Sequence, residues 1–286
     1  MSARRHHAFA PVLFLTPAVL VLGLFFAGAF AQVVYFSFTR YTAFDGPHFI
    51  GLENYRQLLF TDRFWLCLLN SGMYLLATPL IMALSLSAAM VVEADLRGCR
   101  WLRLAMFLPV ITPTIVAGVS WRLLLNEDSG LFNRGLASLG VGPVPWLSQH
   151  PWTLVSAMLV TLWKGFGFYM MVFLAGLLAV PRELKEAASL DGAGRFQVFR
   201  VVTMPAIRPA LALVFVISSI SALKVFDELY VTVKGAPITQ QTVVPLIYQV
   251  AFEEGNYGLA SAIGITLFVV ILGFSVVNLR LSARKG

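Results

Sequence analysis

The sequence predicts an all-α membrane protein with six transmembrane helices, and three observations predict it. Of 286 residues, 58% are hydrophobic and only 12% charged, with a mean hydropathy of +0.80. The apolar residues fall in six runs of roughly 20, the number that crosses a bilayer at about 1.5 Å per residue. The basic residues sit mostly at the ends of those runs. The formal net charge of +7 therefore bears on orientation and not on nucleic-acid binding.

The first span is expected over about residues 11–36, behind Arg4 and Arg5. Ala27-Gly28-Ala29 resembles a signal-peptide cleavage site, but the apolar run is much longer than a signal core, so an uncleaved span is expected. A polar loop follows, with a turn at Asp45-Gly46-Pro47 and a short surface helix near Asn54. The second span covers about 64–92 and carries Pro79; the third covers about 104–125, with Pro109 and Pro113. A turn-rich loop leads to the fourth span, about 152–180, with Trp146 and Trp152 placed as interfacial anchors. The fifth span, about 209–225, is rich in serine, and the sixth runs over about 258–279. Arg280, Arg284 and Lys285 close the chain. Nothing between the spans is long enough to fold alone, so residues 1–286 read as one transmembrane domain.

Six spans put both termini on one side. Thirteen of the 21 Lys and Arg residues lie on that side, which the positive-inside rule makes cytoplasmic. Cys67 and Cys99 bracket the second span, where a helix holds them too far apart for a disulfide. The four histidines lie outside the spans, so no intramembrane metal site is expected.

The longest polar interruption on the basic side is residues 181–209, PRELKEAASLDGAGRFQVFRVVTMPAIRP. It is not built like a loop. Pro181 suits a first helical turn, and Glu183 and Glu186 meet the positive helix end. Leu184, Ala187 and Ala188 make a small apolar face. Gly192 and Gly194 end that helix. A second short helix then carries Phe196, Phe199 and Val202 on one face and Arg195 and Arg200 off it. Two readings of this knob are open: a partner-docking surface, or an interfacial pair that stiffens the bundle.

No engine is visible elsewhere. There is no Walker phosphate loop. Acids lie in loops or at span ends, whereas ion-coupled carriers hold them inside the membrane. Lys164 is the one charge well inside an apolar run. It reads either as a snorkelling lysine beside Trp163 or as a substrate-facing group. The economical expectation is an engine in another subunit, gripping the knob.

At these residues the chain resembles a known family. Glu186-Ala187-Ala188, Asp191-Gly192-Ala193, Phe199 and Pro205 resemble the EAA loop of binding-protein-dependent ABC transporter permeases. The spacing resembles the carbohydrate-uptake branch, although Val202-Thr203-Met204-Pro205 stands where Ile-x-Leu-Pro is common. Gly51-Leu52-Glu53-Asn54-Tyr55, and Phe226-Asp227 with Tyr230, Pro237, Tyr248 and Phe252, resemble outer loops of the first of two paired sugar permeases, of maltose or glycerol-3-phosphate type. Lys234-Gly235-Ala236-Pro237 departs from the usual Gly-Gly-Pro turn.

The resemblance implies a non-catalytic permease subunit of a sugar importer in a bacterial or archaeal plasma (inner) membrane. Its partners would be a second homologous permease, two ABC ATPase subunits that bind ATP and Mg, an extracytoplasmic solute-binding protein and the lipid bilayer, with no nucleic acid. This chain itself would need no cofactor and no metal. Glu186, Ala187, Ala188, Asp191, Gly192 and Arg195 would meet the ATPase. Candidates for the substrate path are Trp163, Lys164, Phe166, Tyr169 and Met170 on the fourth span, Ser218 and Ser221 on the fifth, and Asp227 beyond it. Each also reads as bundle packing. The rivals are an ABC permease for a non-sugar solute, an ion-coupled secondary carrier, and a membrane enzyme.

Overall fold

The computed structural model describes residues 14–94 and 99–283. Arg4, Arg5, Arg97, Arg284 and Lys285, and the first residues of the first expected span, lie outside them. In chain order the elements are α1 (Phe14–Ser37), β1 (Thr39–Arg40), β2 (His48–Phe49), α2 (Glu53–Leu59), α3 (Asp62–Tyr74), α4 (Ala77–Glu93), α5 (Cys99–Ile111), α6 (Thr114–Leu124), α7 (Leu131–Ser138), α8 (Trp152–Leu178) and α9 (Arg182–Leu190). They continue as α10 (Arg195–Ala206), α11 (Arg208–Leu223), α12 (Asp227–Thr232), α13 (Val243–Glu253) and α14 (Tyr257–Ala283).

Among the described residues, four helical stretches are long and apolar enough to cross a membrane: Phe14–Ser37, Asp62–Glu93, Trp152–Leu178 and Tyr257–Asn278. Up to six result if each of two bent pairs is one span. The third expected span is not one straight helix. α5 and α6 meet at 97°, because Pro113 removes a ladder donor and disfavours helical backbone at Thr112. α10 and α11 meet at 68°, just past Pro205. The second span breaks at Leu75-Leu76, which leaves Pro79 in the first turn of α4, where a missing N–H costs little.

The chain forms two compact units. The first joins the residues up to Asp62 with Ile247–Val269. It contains an exception to the all-α expectation: β1 and β2 pair antiparallel, Thr39 with Phe49 and Arg40 with His48, around the Asp45-Gly46-Pro47 turn. Asn54 on α2 ties this ribbon to the end of α1, its side-chain amide donating to the carbonyls of Ser37 (2.9 Å) and Thr39 (2.8 Å). The Phe30 and Phe268 rings meet at 5.2 Å.

The second unit takes in Arg63–Leu246. Its spine is α4 lying along α8, with α5, α11 and α12 also packed against α8. Buried Ile81, Ala88, Ala89 and Val92 of α4 meet Met170, Phe173, Leu174 and Leu177 of α8, together with Ile207, just before α11, and Val214 of α11. Small residues permit this approach, since lipid gives helices no hydrophobic reason to associate and leaves packing to do it. Gly167 is the tightest such point on α8: a Cβ there would lie 2.2 Å from the Met106 carbonyl oxygen of α5. Polar ties cross the same interface, as in the Ser85 hydroxyl donating to the Phe166 carbonyl at 2.9 Å.

The loop before α8 has its own core, which corrects one expectation. Trp146 is buried and is not a lipid-facing anchor. Its indole N–H donates to Asn133 Oδ1 at 2.8 Å, and its ring meets Trp152 edge-on at 5.3 Å. The Glu127 carboxylate accepts from the Leu147 N–H at 3.0 Å and from the Ser148 hydroxyl at 3.1 Å.

Gly167→Ala is expected to lower the stability of the purified protein by about 1–3 kcal/mol, as overpacking does. Gly72→Ala, inside α3 where a Cβ meets nothing within 4 Å, should not lower it. Thermal unfolding of both variants in detergent checks the contrast; equal midpoints would refute the close α5–α8 contact.

Candidate functional site: a polar cavity and an exposed helix pair

A cavity of about 280 Å³ opens within the second unit. α8 supplies Thr161, Lys164, Gly165, Phe168 and Tyr169, at spacings of one helical turn or less. α11 supplies Ser218, Ser221 and Ala222, and α4 supplies Ala77, Thr78 and Ile81. Tyr74 from the end of α3 and Glu228 from α12 complete its polar lining.

The groups are fixed by local bonds. The Tyr74 and Thr161 hydroxyls share a hydrogen bond of 2.7 Å. The Lys164 ammonium donates to the Thr114 hydroxyl at the start of α6. The Ser218 hydroxyl donates back to the Val214 carbonyl at 2.6 Å, the usual way a hydroxyl sits inside an apolar helix. The lining therefore offers hydroxyls, one ammonium and one carboxyl among aliphatic and aromatic surfaces. That set suits an uncharged polar solute better than a hydrocarbon or a bare ion.

Glu228 is half-buried on α12, outside the spanning helices. Burial holds its carboxyl above the usual range; its backbone hydrogen bond and the Lys164 charge pull it down, and Asp227 pushes it up.

The second candidate surface is the pair α9 and α10. Pro181 enters α9 at φ −56°, with Glu183 in the first turn. The turn out of α9 is a Schellman motif. The Ala193 N–H donates to the Ala188 carbonyl at 3.0 Å, and the Gly192 N–H donates to the Ser189 carbonyl at 3.1 Å. Gly192 sits at φ +85°, in the left-handed region glycine enters freely. Gly194 then opens α10 in extended conformation. α10 is not one regular helix as expected. Phe199–Thr203 is a π-turn, next to Pro205, which has no N–H for the ladder. Leu184, Leu190, Phe196 and Val201 are exposed, and no residue of α9 is buried. Glu186, Ala187, Asp191, Gly192 and Arg195 are exposed and Ala188 half-buried.

Comparison with known proteins decides the family. Residues 47–285 match the model of the binding-protein-dependent transport system inner membrane component. The chain belongs to that family. The permease is 36% identical to the trehalose/maltose transport system permease protein MalF of Thermococcus litoralis over 233 residues, 81% of this chain and 79% of the relative. It is 34% identical to the arabinooligosaccharides transport system permease protein AraP of Bacillus subtilis over 283 residues, 96% of this chain and 88% of the relative. Its fold is that of a chain in the crystal structure of a bacterial ABC transporter involved in the import of the acidic polysaccharide alginate. That likeness has a TM-score of 0.86 at 21% identity and covers 98% of this chain and 96% of that one.

Of the permease residues singled out for a substrate path, Lys164, Tyr169, Ser218 and Ser221 come together at the cavity. Trp163, Phe166, Met170 and Asp227 do not line it. Trp163 meets the Trp121 ring at 6.1 Å, Phe166 packs against the α4–α8 core, and Met170 is fully buried there. Asp227 is exposed at the start of α12. Lys164 does not simply snorkel, since it faces the cavity and Thr114. Sequence reasoning missed Tyr74, Thr161 and Glu228. Thr161 lies one turn before Lys164, which is the signal that could have found it. Glu228 had none, because α12 has to fold back over α6 and α8 to bring it in.

Glu228 has a pKa raised in the folded state, so the stability tied to it is full at low pH and fades as pH rises through the folded value. Glu228→Gln cannot ionise. The variant should therefore gain in melting temperature relative to the unmodified permease as pH rises above the ordinary carboxylate range. Melting curves taken from acid to neutral pH check it, and a difference independent of pH would refute the assignment.

Proposed function

We propose that the chain is the membrane-spanning subunit of an ATP-driven importer for a sugar or closely related polyol. Family membership carries this reading, and two curated relatives are named for saccharide transport. The hydroxyl-rich cavity suits such a substrate. An extracytoplasmic solute-binding protein would deliver it, as a fold relative has been crystallised with its periplasmic protein. A second, similar permease would complete the pathway, and two ATPase subunits would power it. The chain would cross the membrane six times, with each bent pair as one span and both termini cytoplasmic, a reading that the distribution of basic residues supports.

Glu228 is an acid on the cavity wall, the feature an ion-coupled carrier would use. The family assignment favours the ATP-driven reading over that one.

The helix pair α9–α10 is then the place where the ATPase grips. Its exposed leucines and phenylalanine offer a dry contact, and Glu186 and Asp191 offer acceptors. The Schellman turn makes the pair a rigid body. α9 is separated from α8 by only three residues, and α10 from α11 by one. Closure of the ATPase dimer would thus tilt both cavity-lining helices. The pathway would alternate between two states whose balance nucleotide shifts.

Two substitutions test the grip. Glu186→Lys reverses a charge on an exposed face, and Gly192→Pro forces φ near −65° where the turn needs +85°. Either should leave membrane insertion intact and cut uptake in the assembled transporter by about 5- to 150-fold, the range of an allosteric coupling. Uptake equal to that of the unmodified permease in both would refute the docking assignment.

A further inference from the structure

α9 poses a mechanical problem. None of its residues is buried, and it packs against α10, whose Val202 and Met204 rest on the α4–α8 core and whose Thr203 is buried. Its direct covalent link to the spans runs through residues 179–181 into α8. A second route is visible at Lys185. Its ammonium lies 2.5 Å from the carboxylate of Glu93, with both side chains about three-quarters covered, at 26% and 23% exposure. Glu93 is the last residue of α4. A carboxylate there faces the negative end of its own helix, so α4 alone disfavours it. Lys185 supplies the countercharge from another element. Partial burial shields the pair from solvent screening.

We propose that the Glu93–Lys185 ion pair is a second linkage, which makes α4 move with the ATPase-docking helix α9. It rests on the docking reading above. Through Pro181, α9 pulls on α8; through Lys185, it pulls on α4. These helices pack along each other and face each other across the cavity, with Thr78 and Ile81 on one and Lys164 and Tyr169 on the other. With both links in place the α4–α8 block tilts as one piece. With the ion pair removed, α8 is driven alone and slides along α4. Glu93 and Lys185 are positioning residues and do not touch the cavity.

The test uses the permease purified with its co-expressed partner subunits, with Cys67 and Cys99 replaced by serine. Spin labels are placed through Ser87→Cys on α4 and Ser189→Cys on α9, both exposed positions. Pulsed EPR distances are taken without nucleotide and after trapping with ATP and vanadate. With the ion pair present, the distance should be the same in the two states. With Glu93→Gln or Lys185→Met, it should shift by about 2–5 Å on trapping, the scale of helix slides and one-turn ratchets. The double exchange Glu93→Lys with Lys185→Glu should restore the constant distance, which a merely stabilising role would not produce. Single variants that keep the distance constant while the ATPase subunits co-purify overturn the linkage alone, as does an exchange that behaves like the single variants. ATPase subunits that fail to co-purify even with the intact pair overturn the docking reading along with it.

Discussion

Lipid offers an apolar side chain the same surroundings as a helix interface does, so the α4–α8 contact must rest on close packing. Alanines 88 and 89 on α4 and the buried face of α8 from Met170 to Leu177 meet that requirement. So does Gly167, which lets the backbone of α5 lie against α8. Polar groups placed in this framework inherit its precision. Lys164, Tyr169 and Thr161 face one cavity because they share a stripe of a helix whose rotation is fixed by its packing. The cavity is a consequence of where the small residues let helices close and where larger ones hold them apart.

The other half of the molecule's logic is the exposed helix pair. Its first helix, α9, has no buried residue and would ordinarily fray. Here its geometry is set locally, by the Schellman turn at Gly192 and by the proline at its entry. It is rigid without being buried, which frees its surface for a partner. Among the described residues, short chain links, the Lys185–Glu93 contact and the packing of Val202 and Met204 on the α4–α8 core lead from the pair into the spans, so a force applied to it enters at α4, α8 and α11. Those three helices line the cavity.

Much of this was legible in the sequence, for physical reasons that differ by element. The long straight spans follow from uncharged runs, because transfer into lipid depends on composition more than on partners. The helix pair was legible because glycine at a left-handed turn and proline at a helix start are local signals. Direction was not legible. The run over residues 104–125 carries a single charge, Arg122 near its end, yet its helices meet at 97°. Two prolines are present in it, Pro109 inside α5 and Pro113 at the corner, and composition does not say which one turns the chain. Trp146 looked like a lipid anchor, since a tryptophan near a span end usually is one; its burial depends on Asn133, thirteen positions away. Half of the expected substrate-path residues reach the cavity. Trp163, Phe166 and Met170 share the helix with Lys164, but their faces are taken by packing, a fact that only the neighbouring helices decide.

The measurement that tests most directly whether the helix pair governs the cavity is labelling of Ser221→Cys with an impermeant maleimide applied from the extracytoplasmic side. It is made on the assembled transporter with Cys67 and Cys99 replaced by serine. Trapping with ATP and vanadate should make the cavity cysteine reactive, and Gly192→Pro should abolish that rise while the ATPase subunits still hydrolyse ATP. An equal rise in the Gly192→Pro variant, or reactivity that ignores nucleotide, would contradict the transmission of force from the helix pair to the cavity.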